Sequence, residues 1–243
     1  MTRAIVVGGT QGIGAATVEL LRASDYEEVV TFSRSRQSDL GVDAVSSKPV
    51  RHLSFDFATG VIGAEEFEKL ELNGFFQSLV VTVGSGRPSS EILLGEKFID
   101  STKRNVLPVL NAIQSFLPLM DRASGSIVVV SSIAAYGLRE APQEYVATKA
   151  ALNSYVRSFS NVISPVRINA VAAGNVNTTN SPWPERLRTD PEGLHDYLAI
   201  NTALGRLATP REIAEVIVFL ASPRASFTTG SIWDVDGGQS SSL

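Results

Sequence analysis

The sequence predicts an α/β fold, with a parallel β-sheet covered by helices on both faces. Three observations predict it. Short apolar runs alternate along the chain with longer segments of helical period. Many runs are nearly continuous in Val, Ile and Leu, as expected of strands buried on both faces. A glycine-rich turn joins the first run to the first helical segment. The 243 residues are 44% hydrophobic and 19% charged, enough apolar material for one packed domain of this type.

The first run, Ala4–Val7, leads directly into Gly8-Gly9-Thr10-Gln11-Gly12-Ile13-Gly14 and a helix expected over Gly12–Ala23. The next runs are Val29–Phe32, Val50–Phe55, Ser78–Val83, Ser126–Val130, Val166–Ala172 and Ser231–Val235. Further helices are expected over Ala64–Leu72, Glu96–Met120, Gln143–Ile163 and Pro210–Ala221. Alternation of this kind gives parallel strands joined by helical crossovers. Ligands in such sheets bind beyond the carboxyl ends of the strands, so functional residues are sought just after the apolar runs. Asn175–Leu204 breaks the rhythm. It has no clear strand, and Pro182, Pro184 and Pro191 interrupt it. It reads as a long irregular segment, either a lid on a binding site or a surface insertion.

Composition excludes several chemistries. Lys plus Arg is 21 and Asp plus Glu is 25, a net charge of −4. So mild an acidity gives no general attraction to nucleic acid or to an anionic membrane. The absence of cysteine excludes disulfides, thiolate nucleophiles, iron–sulfur clusters and Cys-based zinc sites. His52 and His195 are the sole histidines, which excludes a three-His metal site, and no metal centre is expected. No run approaches the roughly 18–20 apolar residues of a membrane span. Ala4–Val7 is too short for a signal peptide, so the expectation is a soluble cytoplasmic protein.

Gly8, Gly12 and Gly14 form a Gly-x-x-x-Gly-x-Gly pattern at the first strand-to-helix junction. Glycine lets the backbone turn tightly and approach a pyrophosphate, whose charge a helix N-terminus favours. The spacing differs from the Gly-x-Gly-x-x-Gly dinucleotide fingerprint. Candidate cofactor-binding residues here are Gly8, Thr10, Gln11, Gly12, Ile13 and Gly14. In NAD binders an acidic residue about 20 positions on meets the ribose hydroxyls, and in NADP binders an Arg meets the 2′-phosphate. That position is Ser33, followed by Arg34 and then Arg36. An acid there would repel the phosphate, whereas Arg34 can bind it bidentately. NADP(H) is therefore favoured over NAD(H), the other reading being that Arg34 and Arg36 are solvated loop charges. Asp56, after the third run, is placed to accept a hydrogen bond from an adenine amino group or to cap a turn.

Tyr145 and Lys149 lie four residues apart in a strongly helical segment and share one face. A Lys ammonium near a phenol lowers its pKa from about 10 and makes it a usable proton donor or acceptor. Ser131-Ser132 follows the fifth run, at the ligand edge of the sheet, with Ser132 13 residues before Tyr145. Asn105 falls inside the long helix expected over Glu96–Met120, a poor place for Asn unless its amide bonds a carbonyl or a water.

These residues together resemble the short-chain dehydrogenase/reductase family over essentially the whole chain. The resemblance is carried by Gly8/Gly12/Gly14, Asp56, Asn105, Ser132 and Tyr145-Val146-Ala147-Thr148-Lys149-Ala150-Ala151-Leu152. It continues in Gly205-Arg206-Leu207-Ala208-Thr209-Pro210, Thr229-Gly230 and Asp234-Val235-Asp236-Gly237-Gly238. The resemblance implies a Rossmann-type, doubly wound seven-stranded parallel sheet, and a homotetramer or homodimer. It implies that Tyr145 protonates a carbonyl oxygen and that Lys149 lowers the Tyr145 pKa and bonds the nicotinamide ribose. It further implies that Ser132 holds the substrate oxygen and Asn105 anchors a relay water. Gly84, and Gly174, Val176 and Thr178 after the sixth strand, are the remaining implied cofactor contacts.

Two departures from the family pattern stand out. Its Asn-Asn-Ala-Gly is here Val81-Thr82-Val83-Gly84, without the amides that brace the sheet. Its Pro-Gly is here Ala173-Gly174, which removes a φ restraint. The expected activity is hydride transfer between NADP(H) and a small-molecule carbonyl/alcohol pair of the ketone or β-ketoacyl type. A non-catalytic NADP(H)-binding sensor or scaffold is the alternative. Trp183 is read either as a cover for an apolar substrate or as an anchor for the lid. Arg186 and Arg188 are read as a solvated face or as contacts to an acidic substrate.

Overall fold

The structure is a computed structural model that describes residues 2–34, 50–84, 95–137, 141–179 and 181–240. Arg36 lies outside the described residues. Seven strands form one parallel sheet: β1 Arg3–Val7, β2 Glu28–Ser33, β3 Val50–Ser54, β4 Ser78–Val81, β5 Ser126–Ser132, β6 Arg167–Ala173 and β7 Ile232–Val235. Their spatial order is β3-β2-β1-β4-β5-β6-β7, and every pairing is parallel. The order reverses between β1 and β4, which opens a crevice above those two strand ends. The glycine turn follows β1 and Gly84 follows β4, so both border that crevice.

The near-continuous apolar strands supply two cores by period-two alternation. Ile5, Val7, Leu79, Val81, Ile127 and Val129 pack on one face of the sheet. Ala4, Val6, Val80, Val128 and Val130 pack on the other. The first core is completed by helices α4 (Leu107–Phe116) and α5 (Gln143–Phe159) and by a phenylalanine cluster in which Phe32 and Phe116 lie 5.1 Å apart. The second is completed by α1 (Gly12–Ala23) and α8 (Pro210–Ala221). A Thr209–Glu212 capping box starts α8.

Several expectations are corrected. The helix expected over Glu96–Met120 is two helices, α3 (Gly95–Asn105) and α4, followed by a 3₁₀ turn at Leu117–Leu119. Pro108 has no N–H for an uninterrupted helix, and its ring would clash with the carbonyl four residues earlier, so the helix breaks and restarts at Leu107. Asn105 is thus the last residue of α3 rather than a mid-helix residue. Helix α2 spans Ala64–Lys69 and stops before Glu71, which takes a left-handed φ of 49°.

The segment Asn175–Leu204, expected to be irregular, contains helices α6 (Trp183–Thr189) and α7 (Pro191–Asn201). Its prolines start helices rather than prevent them. Pro184 and Pro191 occupy first turns, where a missing N–H costs nothing. The Asp190 carboxylate caps α7 by accepting from the Gly193 N–H at 3.0 Å. Among the described residues no helix is long and apolar enough to cross a membrane.

Candidate active site

One cleft of about 460 Å³ lies over the carboxyl ends of the strands. It is lined by every candidate site residue of the sequence analysis except Asn105, which stands directly behind Gly84. The residues from β1 form its floor. Gly8 and Gly12 take left-handed φ values of 91° and 54°. A Cβ on Gly14 would stand 2.0 Å from the Gly8 carbonyl oxygen, so the turn closes on itself and only glycine fits. No side chain of the N-cap residue Gln11 bonds the first turn of α1, and that turn carries no acid. The helix N-terminus therefore presents backbone N–H groups and a partial positive charge to the cleft. Thr178, from the segment after β6, reaches the same turn: its Cγ2 lies 3.2 Å from where a Cβ of Gly12 would be.

Thr82 braces the turn from β4. Its hydroxyl lies 3.0 Å from the carbonyl oxygen of Val7 and 3.1 Å from that of Gly8, as donor to both. Its N–H donates to Val7 as well, at 2.9 Å. Thr82 thus supplies a β1–β4 brace where the family pattern carries an amide. Nothing in the sequence marks it, because the bond depends on which strands become neighbours. The second departure is also accommodated. The Gly174 N–H donates to the Val235 carbonyl at 3.1 Å. A Cβ on Gly174 would lie 2.7 Å from Asp236 Cα, so its glycine is required by close approach.

At the end of β2, Ser33 lines the cleft and exposed Arg34 follows it. Asp56 performs the turn-capping role: its Oδ1 accepts from the Ala58 N–H at 2.9 Å while the residue also lines the cleft. Lys103, Arg104 and Pro108 line the cleft too. Sequence reasoning missed them because their only signal is adjacency to Asn105.

The remaining candidates meet at the ends of β4 and β5. Ser132 starts the 3₁₀ turn Ile133–Tyr136, and its Oγ accepts from the Ala134 N–H at 3.1 Å. The Ser132 hydroxyl also hydrogen-bonds the Tyr145 phenol. One turn further along α5, Lys149 is buried and donates to the Val130 carbonyl at 3.1 Å. Its Nζ lies 5.7 Å from the Tyr145 ring centroid.

Asn105 is fully buried, and its Nδ2 donates to the Ser101 carbonyl at 3.0 Å and to the Ser101 hydroxyl at 3.1 Å. Ser101 in turn donates to the Glu144 carbonyl at 3.2 Å, which ties α3 to the helix that carries Tyr145. Gly84, with φ 131°, is the meeting point. A Cβ there would stand 2.8 Å from Asn105 Oδ1 and 3.1 Å from Lys149 Nζ. Its missing side chain lets these two buried groups approach the backbone at the base of the cleft.

The electrostatics differ from the expectation that Lys149 holds the Tyr145 phenol below its usual value. Burial raises the Tyr145 pKa, and the Ser132 hydrogen bond opposes that rise without cancelling it. The same dry surroundings lower the Lys149 ammonium to about 8. Desolvation disfavours both charged forms, phenolate and ammonium.

In the segment after β6, Trp183 lines the cleft and stacks on Tyr197 of α7 at 5.7 Å between ring centroids. It therefore anchors α6 to α7 while offering an aromatic wall. The Arg186 guanidinium covers the other ring contact, 4.8 Å from the Tyr197 centroid, and donates to the Gly193 carbonyl at 3.3 Å. Arg186 belongs to the packing of the segment rather than to a solvated face.

Comparison with known proteins gives a consistent picture. A family model described as enoyl-(acyl carrier protein) reductase matches residues 7–240. The 2,5-dichloro-2,5-cyclohexadiene-1,4-diol dehydrogenase of Sphingobium indicum is 32% identical over 249 residues, covering 96% of this chain and 95% of that protein. The 3-oxoacyl-[acyl-carrier-protein] reductase FabG of Thermotoga maritima is 28% identical over 244 residues, covering 96% of each. The crystal structure of a 3-oxoacyl (acyl-carrier-protein) reductase from Agrobacterium tumefaciens C58, with NADP bound, superposes with a TM-score of 0.85. Its sequence identity is 27%, over 97% of this chain and 93% of that one.

Proposed function

Because the chain belongs to the short-chain dehydrogenase/reductase family of oxidoreductases, we propose that it is an NADP(H)-dependent reductase of the ketone or β-ketoacyl type, with Tyr145 as proton donor. The observation that carries this reading is the convergence at Gly84. The Tyr145–Ser132 hydrogen bond, the buried Lys149 ammonium and the Asn105 amide oxygen all adjoin the cleft that holds the glycine turn.

The residues fit a nicotinamide dinucleotide. The Gly84 cradle would be filled by any Cβ, the α1 N-terminus is uncapped by a side chain, and no carboxylate stands at Ser33. The residues that would hold it are Gly8, Thr10, Gln11, Gly12, Ile13, Gly14, Ser33, Arg34, Asp56, Gly84, Gly174, Val176 and Thr178, with Asn105, Tyr145 and Lys149 at the reacting end. When bound, such a cofactor supplies or takes up the hydride at the substrate carbon.

The chain's own residues do the rest. The Ser132 hydroxyl orients the substrate oxygen. Tyr145 Oη gives its proton to that oxygen as charge develops on it, or takes the proton back in the oxidative direction. Lys149, at about 8, keeps its proton in most molecules near neutrality and places a positive charge beside the phenol. Asn105 Oδ1, held by the Ser101 bonds to its amide nitrogen, faces the same base of the cleft. The preference for NADP(H) over NAD(H) is supported by Arg34 beside Ser33. A homotetramer or homodimer is supported by apolar residues exposed on α3, where Phe98 is 40% and Ile99 54% exposed.

The test is a pair of NADPH and NADH titrations, followed by initial rates on ketones, diketones and β-ketoesters. Tyr145→Phe is expected to keep cofactor binding and to lose about 10²- to 10⁴-fold in turnover. Turnover retained in that variant removes Tyr145 from the role. A wild-type preference for NADH overturns the Arg34 argument. Binding without turnover on any carbonyl favours the sensor alternative.

A further inference from the structure

From Thr178 onward, the segment after β6 lines the cleft with Thr178, Thr179, Ser181, Pro182 and Trp183, and none of these described residues carries a charge. Trp183 supplies the aromatic ring of this wall. Its indole is half-buried and stacks on Tyr197, with centroids 5.7 Å apart and planes inclined by 26°. Arg186, three residues further along α6, lands on the same ring, its guanidinium 4.8 Å from the Tyr197 centroid. Tyr197 in turn shares the inner face of α7 with Leu194 and Leu198, both buried in the body of the protein. The indole is thus held from behind by an anchored helix while its residue lines the cleft.

We propose that Trp183 determines substrate specificity by stacking on a planar ring of the substrate, so that the preferred substrate is a neutral ketone whose carbonyl is attached to such a ring. The proposal rests on the reductase reading of the cleft and deepens it by naming the substrate class. Two features of the wall carry it. Stacked aromatic rings gain free energy beyond their buried area, and a puckered saturated ring forgoes that gain. Because Tyr197 already holds the indole, little rotamer freedom is lost when a ring settles on it. The uncharged wall sets the second preference. A carboxylate on that side would lose its water without gaining a partner. The Arg186 guanidinium of the same helix is engaged with Tyr197 and with the Gly193 carbonyl. Tyr197 acts through Trp183 and is a positioning residue.

The experiment measures KM and kcat of the full chain, at saturating NADPH, for acetophenone and for cyclohexyl methyl ketone. Both are methyl ketones with a six-membered ring, and they differ in whether that ring is planar. Wild type is expected to show the lower KM for acetophenone. The two carbonyls differ in intrinsic reactivity, so the quantity compared between variants is the ratio of the two KM values. Trp183→Leu is expected to raise the acetophenone KM about three- to tenfold, the scale of one stacked ring pair. It is expected to leave the cyclohexyl methyl ketone KM and the NADPH dissociation constant within about twofold of wild type. Trp183→Phe keeps an aromatic face and is expected to hold the ratio within about twofold. Tyr197→Leu is expected to shift the ratio in the direction of Trp183→Leu by about two- to fivefold, with recovery in Tyr197→Phe. The Trp183→Leu/Tyr197→Leu double variant is expected to fall no further than Trp183→Leu alone, because both changes act through one ring.

A Trp183 that only anchors the segment would raise both KM values together in Trp183→Leu, and one that packs on the cofactor would weaken NADPH. Either result, an unchanged ratio, or an equal loss in Trp183→Phe overturns the proposal while leaving the reductase reading intact. So does a wild-type KM for acetophenone no lower than that for cyclohexyl methyl ketone, or turnover of other ketones but of neither of these. A chain that turns over no carbonyl overturns both. Should Trp183→Leu fail to fold, Tyr197→Leu decides, because it keeps the indole and removes the ring behind it: an unchanged ratio there refutes the assignment.

Discussion

Replacing Gly14 with alanine tests whether close approach, rather than flexibility, is what the turn demands. The added Cβ would stand 2.0 Å from the Gly8 carbonyl oxygen and 2.7 Å from Thr82 Oγ1. An ordinary carbon–oxygen contact is about 3.3 Å, so something must move by more than about 1 Å. Neither neighbour is a flexible chain end. The Gly8 oxygen belongs to a backbone with φ 91°, and the Thr82 hydroxyl is bonded to it. Overpacking of this kind costs about 1–3 kcal/mol. Relief by displacing the turn moves the N–H groups that face the cleft. A loss of about 2–3 kcal/mol corresponds to roughly 30- to 150-fold weaker cofactor binding.

The control is Gly60→Ala, whose Cβ meets nothing within 4 Å and whose φ is not left-handed. It is expected to be neutral or to gain about 0.4–1 kcal/mol through the unfolded chain. Cofactor titration and thermal melting of the two variants read the outcome. Gly14→Ala binding NADPH within about twofold of wild type, at the scale of a single weak contact, would refute the close-approach argument.

Two other perturbations follow from the site. Thr82→Val keeps the shape and removes the hydroxyl shared by the Val7 and Gly8 carbonyls. It is expected to weaken NADPH and NADH equally, by about five- to tenfold, with recovery in Thr82→Ser. Unequal weakening in paired titrations would mean that Thr82 acts on the ribose end instead. Lys149 gives a pH signature in denaturant unfolding. Its pKa is lowered from 10.5 to about 8 by burial, so between those values the unfolded chain holds a proton that the folded chain has released. Wild-type stability relative to Lys149→Met therefore rises with pH from about 8 toward 10.5, by at most about 3 kcal/mol. A difference that stays flat from pH 7 to 10 would show that burial does not control this group.

Local signals made much of the molecule legible. Helices α1 and α8 have the limits their periodicity predicts, and all seven strands lie where the apolar runs do. Gly8, Gly12, Gly14, Ser132, Tyr145 and Lys149 follow strand ends or share a helix face, and both relations are encoded by nearest neighbours in the chain. The effect of proline depends on its position within a turn. Pro108 breaks a long apolar helix, whereas Pro184 and Pro191 start short ones. The Trp183–Tyr197 stack, 14 residues apart, has no periodic signature either.

The sequence by itself determined the order of strands and helices, the glycine turn and the shared face of Tyr145 and Lys149, because these depend on backbone sterics and on residues a few positions apart. Only the tertiary structure decided that Asn105 and Lys149 meet over Gly84, that Thr82 replaces an absent amide brace, and that Trp183 and Arg186 meet on Tyr197. It also decided that burial moves Tyr145 up and Lys149 down. Each of these rests on contacts between distant segments or on exclusion of water, and neither exists until the sheet has assembled.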